Sequence, residues 1–175
     1  MGQIIKNVQP VKLFIGMLSS LAIFDEVKKN LIEKFGTIDY EGPEWEFTFT
    51  CYYNKEMGTP LKRKFIAFQS LIDPQSLVAT KVYTNELEAQ FAKRYTLPMR
   101  PINLDPGYLS SSKVVLATTK DYSHRIYLGD GIYAEITLRY YHKAFRPWEW
   151  TYPDYKSIDY LNWFGKLLEI YRLQL

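Results

Sequence analysis

The apolar pattern begins with VKLFIGMLS (11–19), a nearly continuous hydrophobic run with β-branched and aromatic members, which suits a central strand. Phe24, Val27, Leu31 and Phe35 follow at spacings of three and four. Asp25 and Glu26 fall in the first turn of that segment, and Gly36 stands where a left-handed C-cap belongs, so it reads as an amphipathic helix. EFTFTCYY (46–53) alternates, which predicts a strand with Phe47, Phe49 and a core Cys51 on one face and Thr48 and Thr50 on the other. KRKFIAFQSLI (62–72) predicts another. Asp73 and Pro74 open a helix expected to reach about Arg94, although the β-branched residues of KVYTN are placed to break it near Tyr83. MRPINLDPGYL (99–109) resumes an extended pattern, SSKVVLATT (111–119) fits strand or helix, and Ser157 caps a last helix carrying Ile158, Leu161, Phe164, Leu168 and Tyr171.

The order strand, helix, strand, strand, helix, strand predicts an α+β fold. Its antiparallel or mixed sheet would have a ferredoxin-like (βαββαβ) core, extended by a β-hairpin over 124–141 and a C-terminal helix. No repeat, low-complexity tract or linker interrupts the chain, so 1–175 is expected to be a single domain.

The hairpin can be read in two registers. A two-residue loop at Asp130–Gly131 sets Ile126 against Glu135 and mixes the faces. A three-residue loop sets Leu128 against Ile132, Ile126 against Ala134, Tyr127 against Tyr133 and Arg125 against Glu135, which keeps each face uniform and is preferred. One face then carries Ile126, Leu128, Ile132, Ala134, Ile136 and Leu138 as core. The other carries Arg125, Tyr127, Tyr133, Glu135, Thr137, Arg139 and Tyr141, either as a solvent face of cross-strand pairs or as a ligand platform.

Composition narrows the chemistry. Cys51 is the only cysteine, so an intramolecular disulfide and a cysteine zinc cage are excluded, and two histidines exclude a three-histidine metal centre. No apolar run nears the roughly 20 residues of a membrane span, and the N-terminus lacks a signal-peptide core, which together predict a cytoplasmic protein without a membrane partner. The net charge of +3 is mild, and its densest cluster, Lys62, Arg63 and Lys64, reads as a solvated edge. Among 15 tyrosines and 4 tryptophans, most are expected in the core and under a C-terminal cap, the rest being available for stacking.

P-loop, GxGxxG, HExxH, GxSxG and EF-hand motifs are absent, and NKEM (54–57) has Met57 where a guanine-reading motif needs Asp. The segment TTKDYSH gathers Lys120, Asp121 and His124 at the edge of the hairpin, beside Arg125, with Asp105 on another loop. Three readings follow. The first is a binding module for a nucleotide, RNA or other phosphorylated ligand, with Lys120, Arg125, Glu135, Arg139, Tyr133 and Asp105 as ligand-binding residues. The second is a small enzyme on a phosphorylated or carboxylated metabolite, with His124 as acid or base, Asp121 or Asp105 its orienting or metal-binding partner, and Lys120 and Arg125 as anion holders. The third is an oligomeric structural or adaptor protein presenting tyrosines and tryptophans. The first ranks ahead; catalysis, the cofactor and the oligomeric state stay open, and no metal site is assigned.

PVKLFIGMLSS, EMGTPLKRKFIAFQSLIDP, TNELE, PINLDPGYLSSSKVVLATTKDYSHRIYLGDGIYAEITL and WTYPDYKS together resemble the proteins grouped as domain of unknown function 4416, from about Pro10 to Tyr171. The resemblance implies a single-domain prokaryotic cytosolic protein and names no catalytic residues. Some members carry the label GTP-binding protein, which the missing motifs do not support in this chain.

Overall fold

The computed structural model describes residues 8–175. Its strands are β1 (Val11–Ser19), β2 (Ile38–Glu41), β3 (Trp45–Glu46), β4 (Lys62–Ile72), β5 (Asn103–Leu109), β6 (Lys113–Thr118), β7 (Ile126–Gly129), β8 (Ile132–Tyr141) and β9 (Ala144–Pro147). The helices are α1 (Phe24–Phe35), the short α2 (Asn54–Met57), α3 (Leu77–Ala92) and α4 (Ile158–Leu173). Every strand pairing is antiparallel, and all nine strands join one sheet in the order β2-β4-β1-β5-β6-β8-β7, with β3 on β4 and β9 on β8.

The unbroken apolar run of β1 is explained by cover on both faces. Leu13, Ile15 and Met17 pack with Val27 and Leu31 of α1 and Leu87 and Phe91 of α3. Phe14, on the other face, packs with Phe65 and with Trp163, Phe164 and Leu167 of α4. Two helices therefore lie on one side of the sheet and the C-terminal helix on the other. The Asp73 carboxylate accepts from the Gln75 amide and opens a 3-10 turn that leads into α3, and the Ser157 hydroxyl caps α4 through the Tyr160 amide. The β-branched residues of KVYTN do not interrupt α3, because Lys81, Thr84 and Leu87 are held on its buried face. Residues 113–118 are strand, which settles that segment.

Three expectations are corrected. The alternating EFTFTCYY is not a strand beyond Glu46, since the chain leaves the sheet edge, and Phe47 and Phe49 pair with each other and with Tyr53 and Tyr160 instead. Cys51 lies exposed in that excursion rather than in the core. The hairpin keeps the pairs Ile126 with Ala134 and Tyr127 with Tyr133, yet it turns in two residues. Asp130 and Gly131 both take positive φ, at 50° and 73°, and the extra residue sits at Leu128 on the strand, so Gly129 faces Ile132.

The largest correction concerns which hairpin face is buried. Ile132 and Ala134 do pack with Leu77, Val78 and Val82 of α3, but Ile126, Leu128 and Ile136 lie beyond the reach of that helix and are exposed. On the polar face, Arg125, Glu135 and Thr137 are buried. A register shift between Val114 and Val115 also lets consecutive Thr137 and Leu138 both turn inward. These three line the interior because the C-terminal segment folds over them, whereas Tyr127, Arg139 and Tyr141 of the same face stay exposed.

Candidate functional site

The site begins where two strands part. β5 and β6 are paired only between Gly107–Leu109 and Val114–Leu116. Beyond that, β5 continues along β1 while Ala117 and Thr118 continue along β8. Such a split would strand backbone groups, and α3 meets them at Leu104. The Leu104 amide donates to Glu88 Oε1 at 2.7 Å, and Lys81 Nζ donates to the Leu104 carbonyl at 2.8 Å. Lys81 and Glu88 are seven residues apart, hence two turns apart on one helical face.

A cavity of about 500 Å³ occupies the cleft. Its floor is built around Arg63 on β4. The guanidinium crosses β1 to reach Asp105 on β5, donating at 2.8 Å, and points its other terminal nitrogen at Asp154 at 3.4 Å. Gly16 of β1 makes the crossing feasible: a Cβ there would stand 3.3 Å from the guanidinium and 2.8 Å from the Phe65 ring. Asn103 donates to the same Asp105 oxygen at 2.7 Å and accepts from Arg100, which also pairs with Glu88 at 3.0 Å.

These neighbours set the protonation states. Burial alone would raise the Asp105 carboxyl, but Arg63 first, then Lys81 and Arg100, outweigh it and hold it below its ordinary value. Asp154 has the opposite balance, with burial dominant over Arg63, and sits above the usual carboxylate range. Burial also raises Glu88, against the pull of Lys81 and Arg100. Tyr53 is pushed up to about 12 by burial and then by the Asp105 charge. The Tyr155 phenol, wholly buried, is raised well above its ordinary value, chiefly by desolvation. Its hydroxyl has no hydrogen-bond partner among the described residues.

The rim is organised by Arg125. Its Nε donates to Glu135 at 2.8 Å, one terminal nitrogen donates to the Lys120 carbonyl at 2.9 Å, the other to the Tyr152 hydroxyl at 2.9 Å, and its plane lies 4.4 Å from the Tyr122 ring centre. Arg125 thereby fastens the 118–122 loop and the 148–155 segment to β8. Lys120 differs from it, since its ammonium lies 5.0 Å from the Tyr52 ring centre and has no carboxylate in ion-pair range among the described residues. Around the cavity, five cationic side chains (Arg63, Lys81, Arg100, Lys120 and Arg125) face three carboxylates (Asp105, Glu135 and Asp154), with tyrosines and phenylalanines between them.

Of the residues singled out in the sequence, Asp105, Lys120, Arg125 and Glu135 line this cavity, and the other four do not. His124 turns its Nε2 to Glu135 at 3.2 Å and stacks on Trp150, ring centres 5.4 Å apart. Asp121 is exposed and adds its charge to the Tyr133 phenol, which burial first and Asp121 next raise. Arg139 is exposed on the outer side, 4.3 Å from the Trp148 ring centre. Arg63, read as a solvated edge, is instead the buried centre of the floor. Its signal was parity, since Arg63, Phe65 and Ala67 share one face of β4. Lys81, Arg100, Asn103, Asp154 and Tyr155 were also missed. Lys81 and Glu88 carried a signal in their spacing on the helix; the others carried none. No group of three metal-ligating side chains occurs among the described residues, nor a helix long and apolar enough to cross a membrane.

Fold and site together define an α+β protein whose single antiparallel sheet opens around a cation-rich internal cleft. The chain belongs to the family described as Domain of unknown function (DUF4416), whose model matches residues 9–171. No curated protein and no solved structure matches it.

Proposed function

We propose that this protein is a binding module for a small phosphorylated ligand, held in the β5–β6 cleft with its anion at Lys120. The observation that carries the reading is a half-open cavity of about 500 Å³ with an excess of cations over carboxylates, in which Lys120 lacks an ion-pair partner among the described residues. That volume falls in the roughly 300–1,000 Å³ range of small-molecule sites. An RNA strand needs an extended groove that tracks its backbone, so a compact cleft of this volume favours a small molecule over a polymer. The geometry lends no support to acid–base work by His124 and Asp121, because neither lines the cleft. We also read β1, α1, β2, β4, α3 and β5 as a ferredoxin-like core; the strand order β2-β4-β1-β5 and the placement of α1 and α3 on one face support it. One sheet spanning the chain, closed by α4, supports a single domain.

Calorimetric titration of the full chain with inorganic pyrophosphate, sugar phosphates, nucleoside monophosphates and an RNA oligomer tests the reading. We expect at least one small phosphate to bind, and Lys120→Ala to weaken it about tenfold, the loss of one charge-assisted contact worth about 1.4 kcal/mol. Tighter binding of the RNA oligomer than of every small phosphate would overturn it.

A further inference from the structure

The ends of the cleft differ, and the difference bears on what the ligand carries besides its anion. Both hydrogen bonds that Asp105 accepts, from Arg63 and Asn103, end on Oδ2, so among the described residues Oδ1 has no donor. The Asp105 side chain keeps 28% of its surface accessible although it lies deep in the fold, and that surface opens into the cavity. Tyr155 lines the same floor, but its hydroxyl is sealed from solvent, so the unmet group the floor offers a ligand is Asp105 Oδ1. A buried acceptor left unmet when a ligand displaces water costs free energy, so a well-fitting ligand must bring a donor to this floor.

Elsewhere the cavity is lined by the aromatic rings of Phe47, Phe49, Tyr52 and Tyr122 and by Leu116 and Ala117. A sugar alone covers less of such aromatic surface than a planar ring does. A planar ring stacks on these side chains and keeps its polar atoms at its edge.

Resting on the phosphate-binding reading above, we propose that the ligand is a phosphorylated nitrogen heterocycle, of mononucleotide size, whose donor-bearing edge docks on Asp105 while its phosphate meets Lys120. Asp105→Asn is the informative variant: it keeps the shape and turns an acceptor into a mixed donor and acceptor. Tyr155→Phe is the control, because it deletes a sealed hydroxyl of the same floor and leaves the floor packed.

Calorimetry of the full chain and both variants with the four common nucleoside 5′-monophosphates and with ribose 5-phosphate tests the proposal. We expect at least one nucleotide to bind about tenfold or more tightly than ribose 5-phosphate, and that preference to fall about fivefold in Asp105→Asn and to persist in Tyr155→Phe. Ribose 5-phosphate binding as tightly as every nucleotide overturns the heterocycle proposal and leaves the phosphate reading standing. So does a nucleotide preference unchanged in folded Asp105→Asn. Failure of every phosphate, pyrophosphate included, overturns both.

Discussion

Tyr155 and Asp105 sit in the same floor with opposite energetic positions. The Tyr155 hydroxyl is desolvated without a partner among the described residues, so Tyr155→Phe should leave stability unchanged or raise it by up to about 1 kcal/mol, measured by urea denaturation. Asp105 is ion-paired, and its removal leaves Arg63 sharing only the weaker contact to Asp154. Asp105→Asn should therefore cost about 1–3 kcal/mol at neutral pH, less than a fully buried pair because the carboxyl also faces the cavity. The pH dependence follows from the direction of its shift. A carboxyl held below its unfolded value, near 3.8, lends stability that is complete above that value and is lost as the pH falls through the lower folded one. Denaturation curves of the two proteins should thus differ equally from pH 7 to about pH 5 and converge below about pH 4. Asp154 and Glu88, both raised, work in the reverse sense: their charged forms cost stability that returns as they protonate, and comparison with Asp105→Asn separates the two effects. Parity along β4 marks Arg63 as an inward residue, because it shares a strand face with the apolar Phe65 and Ala67. Asp154 and Tyr155 were not legible in this way, because the irregular segment they occupy has no period to place them on a face.

At the level of elements, the cleft depends on α3 replacing a strand. Lys81→Met keeps the length and apolar stem of the side chain but leaves the Leu104 carbonyl unmet in the gap, so it should cost about 1–3 kcal/mol and speed amide exchange in β5. Unchanged exchange at Leu104 would show that the ammonium is not holding the split open. Gly16→Ala should cost a similar 1–3 kcal/mol or so, since the new methyl meets both Phe65 and the Arg63 guanidinium. Most elements were legible: the uninterrupted run of β1, the amphipathic α1 with its Gly36 end, the Asp73–Pro74 start that leads into α3 and the Ser157 cap of α4 all follow from local patterns. EFTFTCYY misleads because alternation reports a half-buried segment, and aromatic packing outside the sheet satisfies the same pattern. The pairs Ile126 with Ala134 and Tyr127 with Tyr133 were legible from face purity, whereas Ile132 faces Gly129 rather than Leu128, and burial of the faces was not legible, since alternation cannot say which of two faces another segment will cover.

For the whole molecule, ligand binding and stability are linked. A ligand at a hundred times its dissociation constant adds about 2.7 kcal/mol, which for a chain of this size raises the melting temperature by about 5–10 °C. A calorimetric scan with a bound phosphate ligand should show that rise in the parent protein, and a smaller one in Lys120→Ala. The cleft lies where β5 and β6 part, at the join between the two halves of the sheet, and the C-terminal segment supplies Tyr152, Asp154 and Tyr155 before α4 closes over Phe14 and Phe65. Contributions from β4, α3, β5, the 118–122 loop and that segment meet there.

The sequence by itself determined the α+β class, the order of most elements, two of the hairpin pairs, the family resemblance and the exclusion of a cysteine zinc cage or a three-histidine metal centre, because each follows from local periodicity, turn chemistry, motifs or residue counts. Only the tertiary structure decided that Arg125, Glu135 and Thr137 of the polar hairpin face are interior, that Arg63 rather than His124 stands at the centre of the floor, and that β5 and β6 part. Those outcomes rest on contacts between residues 42 to 91 positions apart, such as Arg63 with Asp105 and Asp154, and no local pattern encodes which distant segment will arrive.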